Sequence, residues 1–253
     1  MISKAKTKLI RSLELKKNRK ALGLFVAEGP KVVADMMAIQ KPTVIVAVSE
    51  WIDKHSASIP QATEVYDVTD DELRKLSFLQ HPQQVLAVFK TASSDTSASM
   101  KPDTSALSLC LDGVQDPGNL GTIIRIADWF GIEDIYCSPE TADVWNPKVV
   151  QATMGSIARV RVHYCDLPAL LDSLPEGFPI YGTMLDGDDI NQAQLQNRGI
   201  IIMGNEGNGI SQAIARHVTH RLLIPNYPSG RPTADSLNVA IATAITAFAI
   251  RRS

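Results

Sequence analysis

Cysteine is scarce in this chain. Cys110, Cys137 and Cys165 are the only three among 253 residues, and no two of them make a CxxC pair. Neither a zinc site nor a disulfide framework is therefore indicated, and no metal is expected. Cys110 and Cys137 fall in strand-like runs and read as small core hydrophobes. Long apolar runs are also missing. The longest mostly apolar stretch, Leu237 to Ile250, is too short and too interrupted to span a membrane. The opening MISKAKTKLIRSLELKKNRK has no apolar core and no small-residue cleavage site, so it is not a secretory signal, and a cytoplasmic protein is expected. No GxGxxG follows an early strand and no GKS or GKT closes a glycine loop, which argues against a dinucleotide-dependent oxidoreductase and a P-loop enzyme. No internal repeat is evident.

What is present is enough apolar material, 45% of residues, to bury one or two real cores. The formal net charge is only −2, but it is unevenly placed. Residues 1–31 carry nine cationic side chains (Lys4, Lys6, Lys8, Arg11, Lys16, Lys17, Arg19, Lys20 and Lys31) against Glu14 and Glu28. The remainder holds the negative excess. Such asymmetry points to an anionic partner, nucleic acid first, for the N-terminal end; a basic but merely solvated helix face is the alternative.

Periodicity divides the chain. Residues 3–20 read as one basic amphipathic helix with Ser3 as its cap. Strands at Leu24–Ala27, Thr43–Val48 and Gln83–Lys90 alternate with a helix begun by Pro30 and one begun by the capping box Thr69-Asp-Asp-Glu72. TASSDTSASMKPDTSA, from Thr91 to Ala106, has no apolar period and reads as a linker. The boundaries expected are a small α/β domain at 1–92, a linker at 93–106 and a second domain at 107–253. In the latter, strands at Leu107–Leu111, Asp134–Cys137, Ala158–His163, Pro179–Met184, Gly199–Met203 and Arg221–Ile224 alternate with helices near Gly118–Phe130, Lys148–Met154, Leu167–Leu174, Ser211–His217 and Ser236–Ile250. This is the pattern of a mostly parallel, doubly wound sheet.

Three segments carry chemistry. In DGVQDPGNLGTIIR, from Asp112 to Arg125, a strand end turns into a helix. Asn119 can cap that helix or hold a phosphate or ribose there. Arg125 lies among Ile123, Ile124, Ile126 and Ala127, so its guanidinium needs a partner, water or a nearby carboxylate such as Asp128. In MGNEGNG, from Met203 to Gly209, Gly204, Gly207 and Gly209 allow a ligand to approach the backbone. Asn205 lies among them, and Glu206 can orient a neighbour or simply face solvent in a turn. In LLIP…SLN, Ser236 or Asp235 can cap the last helix, leaving Asn238 in its first turn.

Together, in this order, NxGxxxR, GNEGNG and IP…SLN resemble the SpoU/TrmH family of RNA ribose 2′-O-methyltransferases, in the SPOUT superfamily. The resemblance covers about residues 107–253, and Lys4–Val33 is similar to a substrate-binding domain often fused ahead of it. It implies a C-terminal trefoil knot in the α/β sheet, preceded by a small α/β RNA-binding domain. It also implies S-adenosylmethionine as cofactor, a homodimer, and structured RNA as substrate, ribosomal RNA rather than transfer RNA by analogy. The implied cofactor pocket comprises Thr183, Met203, Gly204, Asn205, Gly207, Gly209, Ile224 and Leu237. The implied catalytic set is Arg125, Asn119, Glu206, Ser236 and Asn238. Relatives are proposed to use the motif arginine as a base, whereas guanidinium chemistry favours a charge that stabilises alkoxide or phosphate. The chain departs from the family pattern in a longer loop at Asn226–Asp235 and in Ala240, where a serine is usual.

Overall fold

A computed structural model of the chain describes residues 2–91, 101–228, 231 and 233–252. Two compact units divide it: Met1–Ser93 with Asp143–Ala158, and Ser94–Ala142 with Arg159–Ser253. The expected linker at 93–106 lies largely outside the described residues.

The first unit begins with α1 (Lys4–Ser12), whose cap Ser3 accepts a hydrogen bond from the Lys6 amide, and α2 (Lys16–Leu22). The single helix expected over 3–20 is thus two helices. The reason is Arg19, which is 2% exposed. Its Nη1 donates to the carbonyls of Leu13 (2.8 Å) and Glu14 (2.7 Å), holding the chain in a turn after α1. Its Nε and Nη2 donate to Asp143 Oδ2 at 3.1 and 2.6 Å. Arg19 therefore belongs to a buried ion pair and leaves the exposed basic surface to Lys16, Lys17 and Lys20.

The elements that follow are β1 (Leu24–Glu28), α3 (Pro30–Ile39), β2 (Val44–Ala47), α4 (Ser49–His55), β3 (Glu64–Asp67), α5 (Asp70–Leu76) and β4 (Val85–Lys90). The sheet order is β1-β4-β2-β3, with only β2 and β3 parallel. Thr69 and Glu72 form the anticipated capping box. Neither α4 nor β3 was signalled by periodicity, because α4 buries only Trp51 and no β3 residue is fully buried. Burial raises the pKa of the Glu28 carboxyl, against hydrogen bonds from the Ser77 hydroxyl and the Phe78 amide.

The second unit holds β5 (Leu107–Leu111), α6 (Pro117–Trp129) and β6 (Asp134–Cys137). The chain then passes through α7 (Pro147–Ala152) in the first unit, where Trp145 meets Phe25 with ring centroids 4.2 Å apart. It returns for β7 (Arg161–Tyr164), α8 (Leu167–Asp172), β8 (Ile180–Asp189), β9 (Gly199–Met203), α9 (Gln212–Ala215), β10 (His220–Leu223) and α10 (Val239–Arg252). The six strands run in the order β10-β8-β9-β5-β6-β7, every neighbouring pair parallel. Strands β5 and β9 at the centre are buried at every residue, as expected of strands covered on both faces. At the β6–β7 side, Arg161 and His163 both donate to Asp134. Burial acts to raise that carboxyl's pKa, but these partners hold it well below the usual carboxylate range.

Strand β8 runs beyond the expected end at Met184. Gly182 pairs with Arg221 and Asp188 with the next residue, Leu222, so Thr183–Gly187 bulge out between two paired segments. After β5 the chain moves outward to β6, while β9 leads to β10 on the far side of β8. The strand order therefore reverses between β5 and β9, the position at which parallel α/β sheets bind ligands.

Arg19→Met should destabilise the first unit by about 3 kcal/mol, because it strands the Asp143 carboxylate and two carbonyls. Urea unfolding followed by tryptophan fluorescence and circular dichroism checks this; a variant as stable as the wild type contradicts it.

Candidate active site at the carboxyl ends of the parallel strands

Three loops leave the carboxyl ends of β5, β9 and β10. The β5 and β9 loops are joined at their roots. The Asp112 amide donates to the Met203 carbonyl at 2.9 Å, and the Asp112 carboxylate accepts from the Ser211 amide at 2.7 Å. Asn205 then closes the β9 loop on itself. Its backbone exchanges two 2.9 Å hydrogen bonds with Gly209, and its Oδ1 accepts from the Gly207 and Asn208 amides. Its Nδ2 donates to the Gly113 carbonyl at 2.7 Å, tying the β9 loop to the β5 loop a second time.

Glu206 makes the third tie. Its carboxylate accepts from the Gln115 and Asp116 amides, both at 3.3 Å, and from Asn119 Nδ2 at 3.0 Å. Asn119 Oδ1 in turn accepts from Asn238 Nδ2 at 2.9 Å. One hydrogen-bonded chain, Glu206–Asn119–Asn238, thus joins all three loops and brings the first turns of α6 and α10 together. At the start of α6 the amides of Gln115, Asp116 and Asn119 are already taken by the Glu206 and Asp116 carboxylates, so the convergence is held by polar groups of the protein itself.

Two expected roles change. Asn119 does not cap α6: Asp116 does, accepting from the Asn119 amide at 2.8 Å, which frees the Asn119 side chain to bridge Glu206 and Asn238. Neither Ser236 nor Asp235 caps α10. Asn238 does, its Oδ1 accepting from the Ala240 and Ile241 amides at 2.9 and 3.3 Å, so the helix starts at Val239. Asn has one oxygen and one NH2 to offer, and Asn238 uses the first as cap and the second as bridge.

Arg125 stands two turns along α6 from these contacts. It is exposed, and among the described residues no hydrogen bond or ion pair engages it. The carboxylate expected to compete for it, Asp128, is held instead by Arg159 at 2.8 Å. Ser236 is exposed and likewise makes no hydrogen bond among the described residues. Of the expected cofactor residues, Met203 is buried with Thr183 Oγ1 3.6 Å from its sulfur, Ile224 is half-buried, and Leu237 is exposed. Gly207 and Gly209 are exposed, and a Cβ at Gly209 would meet nothing within 4 Å, so a ligand can reach that backbone. Gly204 differs: a Cβ there would lie 2.1 Å from the Gly209 carbonyl carbon, so its glycine is needed for the loop's own closure. Asp112 and Asp116 were not expected among the site's organisers, although both lie in the quoted strand-to-helix segment.

The strand-order reversal of a parallel α/β sheet is where such folds bind ligands, and here it carries approachable backbone and three loops tied together. Comparison with known proteins narrows the class. The sequence profile of the SpoU rRNA Methylase family matches residues 106–248, and that of an MRM3-like substrate binding domain matches residues 4–87. The chain belongs to the SpoU rRNA Methylase family. It is similar to the 23S rRNA (guanosine(2553)-2′-O)-methyltransferase RlmP of Bacillus subtilis, with 32% identity over 97% of this chain and 96% of that protein. Among solved structures, a putative RNA methyltransferase of the TrmH family from Porphyromonas gingivalis is 38% identical with a TM-score of 0.85, covering 100% of this chain and 99% of that one. An AdoMet-bound rRNA methyltransferase from Sinorhizobium meliloti is 30% identical with a TM-score of 0.86, covering 100% and 96%.

Removing the Glu206 carboxylate should loosen the β5 loop without disturbing the sheet. In Glu206→Ala, amide hydrogen exchange should accelerate over residues 113–119 and stay unchanged in β5 and β9. Protection retained at Gln115 and Asp116 would show that the carboxylate does not hold the loop.

Proposed function

We propose that this chain transfers the methyl group of S-adenosylmethionine to a ribose 2′-hydroxyl of ribosomal RNA. The observation that carries this reading is the Glu206–Asn119–Asn238 chain, which ties together the three strand-end loops: the β9 loop with its approachable glycine backbone, the turn into α6, the helix that carries Arg125, and the turn into α10. Ribosomal rather than transfer RNA is favoured by near full-length similarity to a protein named as a 23S rRNA methyltransferase. The first unit, with Lys16, Lys17 and Lys20 exposed, supplies RNA affinity. The site of action is the cytoplasm; among the described residues no helix is long and apolar enough to cross a membrane. The C-terminal knot implied by the resemblance belongs to the same proposal.

The residues present fit the cofactor. Backbone at Gly207 and Gly209 is open to an adenine edge, and Met203, Ile224 and Leu237 offer apolar contact beside it. When bound, the cofactor supplies an activated methyl group on a sulfonium. The protein's task is to hold the ribose hydroxyl in line with that methyl and to favour loss of its proton. Asn119 and Asn238 orient the acceptor sugar at the two helix starts. The Arg125 guanidinium acts as a fixed positive charge on the developing alkoxide or the adjacent phosphate. Ser236, one turn ahead of α10, adds a hydroxyl beside Asn238.

We further propose a homodimer built on α10. Ile241, Ile245 and Phe248 recur at helical spacing on one side of α10 and are 52%, 36% and 55% exposed, while Ala242, Thr243, Thr246, Ala247 and Ile250 bury the other side. Trp129, four residues beyond Arg125 on α6, is also exposed. An apolar stripe of this kind fits a second copy of the same surface about a twofold axis.

Two outcomes test these proposals. Arg125→Ala should abolish methyl transfer in single-turnover assays at saturating RNA with S-adenosylmethionine affinity nearly unchanged; Arg125→Lys should recover much of the rate if charge alone suffices and little if the planar fork is needed. A near-normal rate in Arg125→Ala removes the catalytic assignment. Separately, Phe248→Asp should sediment as a monomer at micromolar concentration where the wild type sediments as a dimer, and a monomeric wild type refutes the dimer.

A further inference from the structure

The loop from β10 to α10, residues 224–238, contains two side chains that the methyl-transfer site does not use. Tyr227 is 92% exposed, the most exposed of the chain's large hydrophobic residues among those described. Arg231 is exposed, and among the described residues no carboxylate pairs with it. Their backbone is nonetheless organised. Asn226 Nδ2 donates to the Arg231 carbonyl at 3.3 Å and to Thr233 Oγ1 at 3.4 Å, and the Arg231 amide donates to the Pro228 carbonyl at 3.2 Å. The loop is anchored at both ends in the site, leaving β10 beside Ile224 and ending at Asn238, whose side chain is bonded to Asn119.

We propose that Tyr227 and Arg231 grip an unpaired nucleotide of the RNA next to the ribose that is methylated, the tyrosine ring stacking on the base and the guanidinium meeting a phosphate. The inference rests on the RNA methyltransferase reading given above. An aromatic ring left almost wholly in water, in the same loop as an arginine whose amide is bonded to the Pro228 carbonyl, offers both contacts that single-stranded RNA uses, a stacking platform and a cation for the backbone. A protein partner fits less well. In sequence, the stretch from Asn226 to Asp235 holds no large apolar side chain besides Tyr227, and so lacks the apolar surround that normally shields an interface anchor. The grip would act on substrate choice: stacking tolerates any base, but it requires one that is free of a duplex.

The test compares wild type, Tyr227→Ala, Tyr227→Phe and Arg231→Gln. The readouts are kinetics on transcribed 23S rRNA, calorimetry with S-adenosylmethionine, and fluorescence of a single-stranded oligoribonucleotide carrying 2-aminopurine. Tyr227→Ala should raise KM for RNA roughly ten-fold, leave cofactor affinity unchanged and lose the quenching of 2-aminopurine. Tyr227→Phe should behave as wild type, since the ring and not the hydroxyl does the stacking. Arg231→Gln should lower the salt dependence of RNA binding by about one counterion. Unchanged KM and quenching in Tyr227→Ala would overturn the grip. So would weakened cofactor binding with RNA binding intact, which would make the ring a cover for the cofactor, or conversion to a monomer, which would make it a dimer contact. Tyr227-dependent quenching by a wild-type protein that methylates no RNA would leave the grip standing and overturn the methyltransferase reading instead.

Discussion

The carboxylate of Glu206 accepts hydrogen bonds from two backbone amides and one side-chain amide of the β5 loop, and the site depends on that convergence. A loop of glycines and asparagines has little reason to adopt one shape, since its conformational entropy is high and its apolar burial low. Here the shape comes from polar closure. Asn205 satisfies the loop's own amides, Glu206 fastens it to the neighbouring strand end, and Asn119 passes the connection to Asn238 at the start of α10. The order of strands makes this possible. Because β9 lies directly against β5, segments separated by some ninety positions leave the sheet side by side. An arrangement that pre-positions donors before substrate arrives is what electrostatic stabilisation of a transition state requires.

The same geometry explains the isolation of Arg125. Asn119, Asn205, Glu206 and Asn238 have partners inside the protein, whereas among the described residues the guanidinium of Arg125, like the Ser236 hydroxyl, has none. In the proposed site, asparagines and a glutamate hold the structure and one arginine supplies charge. In the first unit the roles are reversed. Arg19 sits among exposed lysines in the sequence but serves as an internal strut, bonded to Asp143 of the segment that the chain sends back between β6 and β7. Adjacent basic residues of α2 thus differ in kind, and only burial distinguishes them.

Much of this was legible in the residues. The central strands β5, β6 and β9 lie where the apolar runs placed them, because continuous apolar stretches bounded by Gly, Asp and Asn leave little choice of limits. The capping box at Thr69 and the first turn at Pro30 were equally local signals. What could not be read depended on distant contacts. The break after α1 is made by Arg19 folding back onto the carbonyls of Leu13 and Glu14. The bulge in β8 is a matter of register with β10. Asp116 and Asn238 as caps were misassigned to neighbours, since several residues at each helix start could cap and the choice falls to whichever side chain is free of other bonds. The strings containing Asn119, Glu206 and Asn238 stood out in the sequence, but their direct bonding appears only when the strand order is known.

The most direct test of the account is the chemical position of the methyl group. Purified protein would be incubated with isotopically labelled S-adenosylmethionine and 23S rRNA lacking native modification, and the RNA digested to nucleosides for mass spectrometry. The account predicts label on the ribose of a single nucleoside, with the neighbouring linkage resistant to alkaline cleavage because its 2′-oxygen is blocked. Label on a base, or no transfer while the protein binds both cofactor and RNA, would contradict it.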